Sequence, residues 1–123
     1  MTLIDTSAWV EALRSDGDEA VRSRVEGLLK AGQAILCDIV ILELWNGARG
    51  EYERSKLRQI TETLECVPTT DAVWTTANSL ATTCRTQGIT VPPTDLLVAA
   101  TARVHRLELL EADSHFRRIP DKP

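Results

Sequence analysis

Along this chain, short apolar runs alternate with longer stretches whose apolar residues recur three and four positions apart. Thr2, Leu3 and Ile4 open it as a strand at about 2–5, and "SAWVEALRS" follows with helical spacing. Asp16, Gly17 and Asp18 break the chain, and Asp18 is placed to cap a second helix. The apolar positions of that helix, Val21, Val25, Leu28 and Leu29, follow i, i+4, i+7, i+8 spacing, and Gly32 is its stop. "AILCDI" (34–39) reads as a second strand, and "VILELWNGARG" begins a helix that Gly47 and Gly50 weaken. "RSKLRQITETL" keeps helical spacing through Leu57, Ile60 and Leu64, before a short third strand in "ECVP" (65–68).

Asp71 is placed to cap the most regular helix, whose stripe is Val73, Trp74, Ala77, Leu80, Ala81 and Cys84, with Gly88 ending it. After the extended connector "ITVPP", Thr94 is placed to cap "DLLVAATARVHRL". That segment is apolar nearly all round from Leu96 to Ala100, so it is expected to be buried against a sheet. "LELLEAD" (107–113) reads as the last strand, and a Pro-rich tail over 118–123 after "SHFRRI" is expected to be loose. Strands separated by helices predict an α/β fold with a mainly parallel sheet, covered by helices on both faces.

Composition narrows the class. With 123 residues, 43% of them hydrophobic, the chain is expected to form a single domain, 1–123, with a genuine core. Its longest apolar runs ("IVIL", "LLVAA") are too short to span a bilayer, and the N-terminus lacks the pattern of a secretory signal. No membrane association and a cytoplasmic location are expected. Cys37, Cys66 and Cys84 are odd in number and show no paired spacing, which favours reduced core residues over a disulfide framework or a metal site. The net charge of −4 argues against nonspecific nucleic-acid binding driven by a global basic excess. Eleven of the fourteen basic residues are nevertheless Arg, the side chain suited to bidentate phosphate contacts, and Arg103, Arg106, Arg117 and Arg118 crowd the end of the chain.

Four carboxylates stand where a strand end or an apolar run makes them unusual. Asp5 ends the first strand, Glu43 is embedded in "IVILELW", Asp95 lies on the first turn of the apolar helix, and Asp113 ends the last strand. Each has an ordinary explanation. Asp5 and Asp113 are good helix caps, Asp95 suits a helix dipole, and Glu43 fits the wet side of an amphipathic helix. In open parallel sheets, however, ligands sit beyond the carboxyl ends of the strands. Four acids converging there repel one another in a low dielectric, so they either protonate or bind a hard divalent cation such as Mg²⁺ or Mn²⁺. Setting those four aside leaves acids and bases equal in number.

The order "LIDTSAWV", "ILELWNG", "GITVPPTDLLVAATA" and "LLEADSHF" resembles the PIN-domain ribonucleases, specifically the VapC toxins of bacterial toxin–antitoxin pairs, over essentially the whole chain. The resemblance implies a three-layer α/β/α fold and metal-dependent endonucleolytic hydrolysis of RNA, leaving 5′-phosphate and 3′-hydroxyl ends. Matched motif by motif, it implies that Asp5, Glu43, Asp95 and Asp113 are the catalytic and metal-binding acids. Asp5 and Asp95 would bind Mg²⁺ or Mn²⁺ directly, with Glu43 and Asp113 completing the shell directly or through water. Thr6 matches the small hydroxylic residue that follows the first acid. Many relatives carry a further acid two residues after the last Asp; this chain has His115 there, which argues against a fifth carboxylate ligand. The implied partners are an RNA substrate, a cognate VapB-like antitoxin lying across the site with a basic residue toward the acids, and a second copy in a homodimer or a larger toxin–antitoxin assembly. Arg117 and Arg118 are candidates for RNA backbone contact. Trp9 and Trp45 belong either to the groove beside the acids or to the core.

Competing classes fit less well. A receiver-type phosphoacceptor wants a paired N-terminal acid and a late Lys, and none of Lys30, Lys56 and Lys122 is well placed. A haloacid-dehalogenase-like phosphatase needs Asp-x-Asp, where Ser7 stands. Metal-free catalysis by His105 and His115 requires two residues on different elements to meet. A catalytically inactive PIN-like module that binds RNA or protein remains the alternative reading, distinguished by an acidic quartet it would not need.

Overall fold

Four short apolar runs pair side by side, all parallel, as β1 (Thr2–Ile4), β2 (Ala34–Cys37), β3 (Glu65–Val67) and β4 (Glu108–Leu110). In the computed structural model, which describes residues 1–121, the strand order is β3-β2-β1-β4. Leu3 lies opposite Ile35 on one side and Leu109 on the other, which makes β1 a central strand buried along its whole length. The chain steps outward from β1 to β2 to β3, then crosses to the far side of β1 for β4. Strand order therefore reverses at β1, the kind of switch point that opens a crevice at the carboxyl ends of the strands.

Six helices connect and cover the sheet: α1 (Thr6–Leu13), α2 (Glu19–Lys30), α3 (Asp38–Gly47), α4 (Gly50–Thr63), α5 (Asp71–Thr86) and α6 (Pro93–Val104). A short 3-10 helix, Ser114–Arg118, follows β4. The architecture is the three-layer α/β/α arrangement expected from the alternation, with a sheet that is wholly parallel. Ala8, Trp9, Val25, Val40, Leu44 and Leu57 from the first four helices pack with the strands into one core. A second core lies between α5 and α6, through Val73, Ala77, Leu80 and Cys84 against Leu96, Leu97, Ala99 and Ala100. Val98 and Ala102 of the same α6 belong to the first core. Serving both cores is why α6 is apolar nearly all round.

Several boundaries differ from the sequence expectation. β2 stops at Cys37 and Asp38 already begins α3, where an acid suits the positive end of a helix. α5 is capped by Thr70, which accepts from Val73 N–H, so Asp71 is the first helical residue rather than the cap. α6 starts at Pro93, not after Thr94, because proline's fixed φ and missing N–H suit the first helical position. β4 ends at Leu110, so Asp113 does not terminate a strand; it caps the 3-10 helix. Trp74, expected in the buried stripe, is 51% exposed. One residue on a helix turns by about 100°, which carries Trp74 out of the row that Val73 shares with Ala77 and Leu80. Cys37 and Cys84 are buried as expected, whereas Cys66 is exposed on the edge strand.

Of the tail expected to be loose, residues 118–121 are held. Ile119 is buried in the second core, and the Arg103 guanidinium donates to the carbonyls of Pro120 and Asp121. Residues 122 and 123 lie outside the described residues. Gly17, in the break between α1 and α2, is required by space, since a Cβ there would sit 1.8 Å from the Glu11 carbonyl oxygen. Among the described residues, no helix is long and apolar enough to cross a membrane.

Candidate active site

Asp5 is the residue at which β1 turns into α1. Its N–H donates to the Leu110 carbonyl (2.9 Å), continuing the β1–β4 pairing for one more step. Its side chain then caps α1: Oδ2 accepts from Ser7 N–H (3.0 Å) and from the Ser7 hydroxyl (2.6 Å). Ser7 Oγ in turn accepts from Ala112 N–H (2.9 Å). One hydroxyl thus ties the first acid to the segment leaving β4, across 105 residues of chain. The residue is 4% exposed, and its burial pushes the Asp5 carboxyl above its usual range. The Ser7 hydrogen bonds oppose that push, and the nearby Asp113 adds to it.

Asp95 reaches the same place from the first turn of α6. Burial, and after it the charges of Asp5 and Asp113, lifts its carboxyl to about 6, against the opposing pull of His115. Asp113 arrives from beyond β4, where its Oδ1 accepts from His115 N–H (2.9 Å) as the cap of the 3-10 helix. The His115 ring stands between the two acids, with Nδ1 at 3.2 Å from Asp95 Oδ2 and 3.1 Å from Asp113 Oδ1. Donor atoms of Asp95, Asp113 and His115 all lie within 4.8 Å of one another. Asp5, Asp95 and Asp113 therefore share one electrostatic environment at the carboxyl end of the sheet, built from three separate elements.

Glu43 stands to one side of this cluster. It is half-buried on α3, and its Oε1 accepts from the Thr6 hydroxyl (2.9 Å), which links it to the residue beside Asp5. Thr6 and Glu43 border a cleft of about 770 Å³ that runs on past Leu13, Tyr52 and Lys56. Arg117 and Arg118 are exposed and do not touch the acids; Arg117 Nη2 lies 3.8 Å from Glu111 Oε1. Trp9 is packed in the core at 1% exposure, and Trp45 rests against the same core. His105 is remote from the cluster, its Nε2 hydrogen-bonded at 2.8 Å with the Pro68 carbonyl.

Two residues of the site have places in it that the sequence reading did not assign. Ser7 has a visible signal, since it stands second after a capping Asp, but its bond to Ala112 is a tertiary contact. His115 shows in the sequence as a missing carboxylate and as half of a histidine pair that does not form; its ring meets Asp95 because α6 and the 3-10 helix pack together.

The PIN domain family profile matches residues 2–122. Ribonuclease VapC11 of Mycobacterium tuberculosis is 32% identical over 120 residues, covering 94% of this chain and 89% of the relative. Ribonuclease VapC21 of the same species is 33% identical over 103 residues, covering 81% and 75%. Among solved structures, the crystal structure of VapBC2 from Rickettsia felis bound to a DNA fragment from their promoter superposes with a TM-score of 0.81 at 23% identity. That match covers 98% of this chain and 94% of its counterpart. This chain belongs to the PIN domain family.

Proposed function

We propose that the chain is a metal-dependent endoribonuclease and the toxin of a type II toxin–antitoxin pair, acting in the cytoplasm as a single domain. The observation that carries this reading is the convergence of Asp5, Asp95 and Asp113, with Asp95 lifted to about 6 by burial and by its acidic neighbours. Such a set is costly when ionised and bare, and a hard divalent cation removes the cost. Its oxygen donors, buried at Asp5 and half-buried at Asp95 and Asp113, suit Mg²⁺ or Mn²⁺. Relatives named as ribonucleases at 32–33% identity support the same reading.

Asp5 and Asp95 would hold the ion directly, with Asp113 and Glu43 completing the shell directly or through water. Held by these residues, the ion would supply Lewis-acid polarisation of the scissile phosphate and a more acidic bound water. The chain's own residues set the geometry. Ser7 fixes the Asp5 rotamer by bonding both its carboxylate and Ala112 N–H. Thr6 occupies Glu43 Oε1 and leaves Oε2 to order water. Arg117 and Arg118, exposed on the 3-10 helix, reach for the RNA backbone. The cleft past Leu13 and Lys56 is where a VapB-like antitoxin segment would lie, with a basic residue toward the acids, in an assembly built on a toxin dimer.

The test begins without RNA. Titrating Mn²⁺ into the antitoxin-free protein should raise its melting temperature by several degrees, since a hundredfold excess over Kd stabilises by about 2.7 kcal/mol. Asp5→Asn should abolish that rise. Manganese should then support RNA cleavage that a chelator stops. Absence of binding by calorimetry at millimolar Mn²⁺, or cleavage indifferent to chelator, would overturn the reading.

A further inference from the structure

Resting on the metal-site reading above, we infer that His115 Nδ1 is itself a ligand of the divalent ion. It makes the site a mixed nitrogen–oxygen centre that selects Mn²⁺ over Mg²⁺ more strongly than an all-oxygen site would.

The first support is geometric. Nδ1 lies 3.2 Å from Asp95 Oδ2 and 3.1 Å from Asp113 Oδ1. Neighbouring ligands of an octahedral ion with bonds of 2.0–2.1 Å stand about 2.9–3.0 Å apart. These two separations are only slightly longer, and all three donor atoms lie within 4.8 Å of one another, so inward movement of the side chains would bring them onto one ion. The ring is also aimed. Asp113 Oδ1 accepts from His115 N–H at 2.9 Å, which sets the backbone from which the ring projects. Asp95 is brought opposite by α6, and α6 packs against the 3-10 helix around Phe116 and Ile119.

The second support is the donor set itself. Nδ1 is hydrogen-bonded to Asp95 Oδ2 and stands as close to Asp113 Oδ1, which already accepts from His115 N–H. In the Nε2–H tautomer Nδ1 carries a lone pair, the form in which imidazole binds a metal. A cation at the common centre would engage that lone pair and both carboxylate oxygens together, in place of the single Nδ1–Asp95 hydrogen bond. With Nδ1 engaged, Nε2 keeps the proton and turns it toward solvent, which the 37% exposure of this side chain permits.

Selectivity follows from ligand chemistry. Mg²⁺ dehydrates reluctantly and prefers carboxylates and water, whereas imidazole adds affinity for transition-metal ions. Replacing His115 by an oxygen donor should therefore weaken Mn²⁺ relative to Mg²⁺.

Pulsed electron paramagnetic resonance on the Mn²⁺-loaded protein reads the bond directly. The wild type should show nitrogen coupling to the manganese. His115→Asp and His115→Ala should bind Mn²⁺ without that coupling, and His105→Ala should retain it. In calorimetric competition, the Mn²⁺-over-Mg²⁺ preference should fall about tenfold in His115→Asp, the lower end of what disturbing a metal's ligand environment costs. Bound manganese with no nitrogen coupling in the wild type overturns this inference and leaves the acidic site standing. So does an unchanged preference in His115→Asp. No manganese binding at all overturns both. Because the decisive measurement is made on the wild type, a variant that folds poorly does not blunt it.

Discussion

Asp95 shows most directly how a single residue connects charge to stability. Folded, its carboxyl holds a proton up to a pH of about 6; unfolded, it releases that proton near the ordinary 3.8. Between those values the metal-free folded chain binds more protons than the unfolded one, so stability falls as pH rises through the window and levels off above it. Asp5, also raised, acts in the same direction. Asp95→Asn should remove much of that fall and leave the metal-free protein more stable at pH 7. Melting curves in chelator from pH 4 to 7 read the difference. Ser7→Ala makes a second test at this scale, because Ala112 N–H and Asp5 Oδ2 lose a shared partner. A loss of about 0.5–1.5 kcal/mol in urea unfolding is expected, the usual net worth of a hydrogen bond, because Asp5 Oδ2 keeps the Ser7 N–H and the exposed Ala112 N–H can turn to water.

At the scale of elements, α5 and α6 make the clearest case. Helical spacing put Val73, Trp74, Ala77, Leu80, Ala81 and Cys84 on one face; of these, Val73, Ala77, Leu80 and Cys84 are buried against α6, while Trp74 and Ala81 are exposed. Trp74 is more hydrophobic than Ala77, yet it faces solvent, because position on the helix outranks side-chain type. Leu80, fully buried, should cost about 2–5 kcal/mol on replacement by alanine. Trp74→Ala should change stability by no more than about 0.5 kcal/mol, as exposed positions do. Denaturant melts of the two variants measure the contrast, and equal losses would mean that Trp74 is covered in solution. The short β4 makes the opposite point. Its apolar run was legible, but its end was not, since Glu111 to Asp113 could have continued an edge strand with no change in pattern.

For the whole molecule, the net charge of −4 conceals an uneven distribution: an acidic cluster at the sheet edge and exposed Arg117 and Arg118 close by on the 3-10 helix. If those arginines meet RNA phosphates, replacing both with alanine should lower the slope of log affinity against log salt. The expected decrease is about 0.7 for each phosphate that an arginine neutralises on single-stranded RNA. Filter binding in a chelator, across a range of salt, tests this without cleavage; an unchanged slope removes them from the interface.

By itself the sequence determined the alternation of strands and helices, and with it the parallel sheet, because periodicity and burial are local consequences of side-chain order. It also singled out Asp5, Glu43, Asp95 and Asp113, since a carboxylate in an apolar context is conspicuous wherever the chain later goes. Only the tertiary structure decided which of them meet. Asp5, Asp95 and Asp113 share one environment because strand order reverses at β1 and brings three distant segments to one edge, while Glu43 is reached through Thr6. The bond from Ser7 to Ala112 and the placing of His115 between two acids span gaps of 105 and 20 residues. No local pattern encodes such pairings, because their energy comes from packing that exists only once the sheet has formed.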